Sequence, residues 1–221
     1  MADLTVASTF RAFSDGQVSG GVAGRMGIQV VMDFYLHSLL NGKGFQLRAG
    51  TITTPLVGDV VITDTAAEFC VDAVTGLTII PVAQNISIRL GTGTLHEYAT
   101  KSVGTVSSAG TAFTPLPLRP FTAGGATAEA SAAVARVAAA GGVTVTAELA
   151  TTTRRHWSHS NPVAVGAGND DVLINWSPRT LHTPLALNGP FCLYTQIAAT
   201  TTGPSYYASL DWIEDDTANL M

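Results

Sequence analysis

The sequence predicts an all-β chain, and three observations carry that prediction. Runs rich in Thr, Val and Ile with period-two character recur along it. Each run is bounded by Gly, Pro or Asn, the residues that turn a chain. Their spacing accommodates about eight to ten strands in 221 residues, a length that β-sandwiches reach as a single domain. The expected organisation is an extended arm over residues 1–27 followed by a β-sandwich domain over residues 28–221.

Taken in order, the arm is rich in Gly and Ser and carries two aromatic anchors, Phe10 and Phe13. Residues 28–40, IQVVMDFYLHSLL, are dense and apolar; their length permits a short helix and their β-branched content a strand, and the reading leans to strand. Asn41-Gly42-Lys43-Gly44 is a strong turn signal. Strands are then expected over residues 45–54, 57–63, 77–82 and 86–90. The alanine-rich residues 132–139, Gly141-Gly142 and residues 143–149 read as two strands joined by a tight glycine turn, with a helix as the alternative for the first half. Strands over residues 153–159, 172–176, 191–199 and 205–213 complete the set. Long Thr/Gly/Pro loops fall at residues 104–112, 122–127 and 161–171, where contacts with other chains usually lie.

Composition narrows the role. Charged residues make up only 12% of the chain and hydrophobic residues 46%, with mean hydropathy +0.29. An ordinary soluble protein carries about 25% charge, so too little remains here to cover a free monomer comfortably. Thr, Ser, Gly and Ala fill the gap, and they cost little desolvation when one chain packs on another. The net charge of −5 and pI of about 5.4 argue against a wide phosphate-gripping surface. The start shows no positive and apolar leader pattern, so no secretory signal is expected. Pro and Gly interrupt the long charge-free stretch of residues 183–210, so no membrane helix is expected either.

The candidate chemistry is sparse. Cys70 and Cys192 lie far apart in sequence and read as buried free thiols. Arg154, Arg155 and His156 head the one concentrated basic and aromatic cluster, RRHWSH, a candidate contact for nucleic acid or an acidic partner. Against that stands an ordinary strand with an Arg pair, which the small positive charge favours. His156 and His159 are three apart, so on a regular strand they face opposite sides; with His182 they match no zinc spacing, and no metal is expected. Gly168-Asn169-Asp170-Asp171 and Glu214-Asp215-Asp216 read as solvated acids; calcium, if bound, would bridge carboxylates at subunit interfaces. No Gly-x-Ser-x-Gly elbow or phosphate loop occurs, Gly91-Thr92-Gly93-Thr94 is half a dinucleotide fingerprint, and His96-Glu97 reads as a surface pair. The chain is therefore not expected to be an enzyme.

Two stretches, LNGPFCLYTQIAATTTGPSYYASLDWIEDD at residues 187–216 and GLTIIPVAQNISIRL at residues 76–90, resemble strands of single jelly-roll viral capsid proteins. The resemblance implies an eight-stranded jelly roll that self-assembles into a virion shell, in a large homo-oligomer and alongside other virion proteins. It would be located in the virion, after assembly in the host cytoplasm. Many members of that family carry an Arg/Lys-rich N-terminal arm, which this sequence lacks, so nucleic-acid contact is expected to be weak or indirect. Phe10, Phe13, Tyr206, Tyr207 and Trp212 are the expected interface anchors, with Trp212 equally suited to the core. The alternative is a phage accessory, tail or fibre β-sandwich module that binds a glycan or receptor. A cupin-type enzyme would need a His/Glu metal cluster that the sequence does not display.

Overall fold

The computed structural model describes residues 22–23, 29–30, 34–90, 96–119, 130–138, 142–161, 172–177, 185–199 and 203–220. Apart from Val22–Ala23, the arm with Phe10 and Phe13 lies outside the described residues. So do the loop at residues 122–127, Gly91 to Thr94, Gly168 to Asp171 and His182.

The chain is all-β in antiparallel sheets, with one α-helix among the described residues, α1, at Phe34–Leu40. Among the described residues eight strands reach five residues or more: β1 (Gly44–Ala49), β2 (Phe69–Ala73), β3 (Leu77–Leu90), β4 (His96–Val103), β5 (Arg154–Asn161), β6 (Val172–Trp176), β7 (Phe191–Ala199) and β8 (Ser205–Asp216). They form two sheets, ordered β1-β8-β3-β6 and β2-β7-β4-β5, every pairing antiparallel. Shorter segments extend each sheet at one edge: Leu116–Pro117 beside β1, and Val134–Val137 then Thr111–Phe113 beside β2.

Facing side chains of the two sheets make the main core, which includes Phe45, Phe69, Ile86, Tyr98, Trp176, Tyr206 and Trp212. The alternation is cleanest in β8, where Tyr206, Ala208, Leu210 and Trp212 are buried and Tyr207, Ser209 and Asp211 are half-buried. One buried polar network crosses this core. Gln84 donates to Thr195 Oγ1 (2.6 Å) and accepts from Thr100 Oγ1 (2.8 Å), which ties β3 of one sheet to β4 and β7 of the other.

Several expectations are corrected. Within residues 28–40 the leaning to strand fails for the second half, which is α1. Its end explains why: Lys43 N–H bonds to Ser38 O and Gly42 N–H to Leu39 O, with Gly42 at φ +76°. The turn signal Asn41-Gly42 thus serves as a helix C-cap, where the left-handed conformation favours glycine. Residues 77–90 are one strand, not the two expected at residues 77–82 and 86–90. Pro81 is accommodated where β3's outer edge has no strand partner among the described residues, between its pairing with Leu187–Asn188 and its pairing with β6. On its other edge a bulge between Asp211 and Trp212 shifts the register by one residue.

Residues 143–149 do not fold back on the alanine-rich segment. Val134–Val137 joins β2, while Val143–Thr144 pairs with Ala66–Ala67 and Ser108–Ala109 in a small separate sheet. Residues 57–63 yield only Leu56–Val57, paired to β8, and an isolated bridge at Asp59. Two strands of the second sheet, β2 and β4, lie where no strand is expected from sequence. Residues 104–112 hold two short strands rather than open loop.

Candidate functional site

The second sheet carries nearly all the chemistry the sequence singles out, and its strands β2 and β7 are covered on both sides. In β7 eight consecutive residues, Cys192 to Ala199, are buried, so this strand has no solvent face. One face meets the main core. The other meets a smaller apolar cluster of Ala67, Cys70, Val103, Val143, Val145, Cys192 and Tyr194, roofed in part by the small sheet.

Register explains which side chains meet under that roof. Cys192 lies opposite Asp72, and Tyr194 opposite Cys70, on adjacent strands. Because alternate residues share a face, Cys70, Asp72 and Cys192 converge although Cys192 is more than a hundred positions away. Their Sγ and carboxylate oxygen atoms all lie within 4.8 Å of one another, and all three residues are buried. Ser107, from the loop after β4, completes the group. Its N–H donates to Asp72 Oδ1 (2.9 Å), its hydroxyl to Asp72 Oδ2 (2.7 Å), and its Oγ sits 3.1 Å from Cys70 Sγ. The Arg136 guanidinium stands 3.9 Å from Asp72. Both cysteines are free thiols. The hydrogen bond with Cys70, then burial, then the charge of Asp72 push the Cys192 thiol well above its ordinary range.

Beside this cluster on the same face, Lys101 of β4 is buried and paired with Glu148. Arg155 of β5, directly across from Lys101, also donates to Glu148 (3.0 Å). The hydrogen bond from Lys101 holds the Glu148 carboxyl below its usual range, against the pull of partial burial.

The expected cluster of Arg154, Arg155 and His156 is therefore split. Arg155 pairs with Lys101 on the outer face, while His156, at a bulge between Arg155 and Trp157, turns its ring inward. There its Nε2 is 2.7 Å from Ser102 Oγ and the ring stacks on Trp176 at 6.2 Å between centroids. Burial, helped by the charge of Arg154, lowers His156 to about 4, so it is neutral at physiological pH. Arg154 is exposed, with its guanidinium 6.0 Å from the Phe191 ring centroid. Arg154 and Arg155 are both exposed, and Arg155 shares the single Glu148 carboxylate with Lys101.

The interface anchors are corrected as well. Tyr206 and Trp212 are fully buried in the main core and have no surface to offer another chain, whereas Tyr207 is half-buried on the outer side of β8. The acidic tail is not simply solvated: Glu214 is buried and accepts from the N–H groups of Ala132 (2.9 Å) and Ala133 (3.1 Å) and from Ser131 (3.0 Å). Asp215 pairs with Lys43.

Sequence reasoning missed Glu68 as a titrating group. Glu68, just before β2, is buried and accepts from Tyr206 Oη (3.1 Å) and from the N–H of Asp59 (3.1 Å). Burial, with the nearby Asp59 carboxylate, pushes it up to about 7. No helix among the described residues is long and apolar enough to cross a membrane. No family model, curated protein or solved structure matches the chain.

Proposed function

We propose that this chain is a self-assembling structural subunit, the coat protein of a viral shell, built on a single jelly roll. The strand order carries the reading. A long antiparallel ribbon with arms β1–β4 and β5–β8, rolled around one core, keeps β1·β8, β2·β7, β3·β6 and β4·β5 as partners. Rolling then joins these pairs into two four-stranded sheets, 1-8-3-6 and 2-7-4-5. All four pairings and both orders occur in this chain.

A jelly roll hosts unrelated activities, so the role is argued from the surface and the interior. The space between the sheets, where a cupin-type enzyme would hold its metal, is filled by Trp176, Trp212, Tyr206 and their neighbours. The surface exposes aliphatic side chains at separated places, among them Ile52 (61%), Val60 (54%), Val61 (59%), Leu149 (53%) and Leu173 (63%). Together with 12% charge, that surface suits burial against further copies. A glycan-binding or receptor-binding accessory module is the second reading. It calls for exposed aromatic rings in one groove, and Phe34 is the single aromatic residue of the exposed class among the described residues.

Negative-stain electron microscopy with light scattering, on the purified chain across salt and calcium concentrations, tests the proposal. Closed shells or regular arrays are expected. A monomer or small oligomer under every condition would overturn it, and a glycan array would then test the second reading.

A further inference from the structure

We propose that Cys70, Cys192, Asp72 and Ser107 form a structural zinc site that locks the loop after β4 onto the second sheet. The donor set is two sulfurs and two oxygens from three separate segments, and thiolates select zinc over calcium or magnesium. The Cys70, Cys192 and Asp72 donor atoms already lie within 4.8 Å of one another. A tetrahedral zinc with about 2.3 Å bonds to sulfur and about 2.1 Å to oxygen needs them roughly 3.5–3.8 Å apart, so a small contraction suffices. Ser107 Oγ, 3.1 Å from Cys70 Sγ and 2.7 Å from Asp72 Oδ2, offers the fourth donor and has to move apart from both by roughly half an ångström to reach tetrahedral spacing.

Charge and enclosure agree with a closed, non-catalytic site. Binding breaks two S–H bonds, forms two S–Zn bonds and releases two protons to solvent. Two thiolates, one carboxylate and a doubly charged ion leave one negative charge, which the Arg136 guanidinium beside Asp72 offsets. Cys70, Asp72 and Cys192 are at most 1% exposed and Ser107 6%, so the ion enters as the chain folds rather than through an open mouth. This inference stands apart from the proposed assembly and holds or fails whether or not the chain forms shells.

The test is metal analysis of the full chain, produced with zinc supplied and dialysed without chelator. About one zinc per chain is expected. Cys70→Ser and Cys192→Ser should each abolish it, and Ser107→Ala should weaken affinity about tenfold or more. Should the cysteine variants fail to fold, cobalt(II) decides on the unaltered chain, refolded with one equivalent. A thiolate-to-cobalt charge-transfer band and protection of both thiols from a disulfide reagent support the site. A folded chain without zinc and without that band would overturn it, leaving the group as a hydrogen-bonded clasp. Zinc retained by the cysteine variants would overturn it equally, because the ion would then lie elsewhere.

Discussion

Glu68 and His156 sit at opposite ends of the same electrostatic problem, because each is an ionisable group drawn into the sandwich. Glu68 rises from its ordinary 4.5 to about 7, so between those values the folded chain holds a proton that the unfolded chain has lost. Its contribution is fully present below pH 4.5 and is lost as pH rises to 7. His156 falls from 6.5 to about 4, so its contribution is present above pH 6.5 and is lost as pH falls to 4. At 1.36 kcal/mol per pH unit the Glu68 contribution is at most about 3–4 kcal/mol; that of the half-buried His156 is smaller because solvent screens it, and over the shared window the two oppose one another. Urea denaturation compared with the parent chain should separate them. Glu68→Gln should gain stability on the parent as pH rises from 4.5 to 7, and His156→Gln should lose it as pH rises from 4 to 6.5. Two pH-independent differences would mean that neither group is as buried as described. Neither role is legible in sequence, since an isolated Glu or His carries no mark of what will fold over it.

Between elements, the two sheets are joined by packing and by the Gln84, Thr100 and Thr195 network. Thr195→Val leaves the buried Gln84 amide without its acceptor and should cost about 1–3 kcal/mol. Replacing all three with Leu, Val and Val should cost less than the sum of the single changes, because no polar group is then stranded. Additive losses would show that the hydrogen bonds do not act as one unit. Trp212→Ala, which opens a cavity where β8 meets β1 and β3, should cost about 3–5 kcal/mol by thermal or chemical denaturation. Element placement was readable where alternation is strong and turn residues are unambiguous: residues 172–176 and 191–199 coincide with β6 and β7. It failed for β2, FCVDA, which is buried on both faces and so shows no alternation. It also failed for Pro81, whose tolerance depends on a gap in the neighbouring pairings.

On the scale of the molecule, the proposed assembly makes a prediction that separates surface from core. Val60 and Val61 are exposed on the segment between Leu56–Val57 and β2. Val60→Lys with Val61→Lys should leave the unfolding midpoint nearly unchanged, within about 0.5 kcal/mol per site. The pair should nevertheless suppress any particles seen by microscopy, because two charges would have to be buried unpaired. Particles that form normally would remove this segment from the interface.

The sequence by itself determined the all-β class, most strand positions in the C-terminal half, the buried state of both cysteines and the shortage of charge for a free surface. These follow from local alternation, turn chemistry and composition, which need no knowledge of partners. The tertiary structure alone decided the order of strands in the sheets, the inward turn of His156, the burial of Tyr206, and the meeting of Cys70, Asp72 and Cys192. Each depends on which distant strand lies alongside and in what register. A one-residue shift or bulge moves a side chain from one face to the other, and linear spacing carries no trace of it.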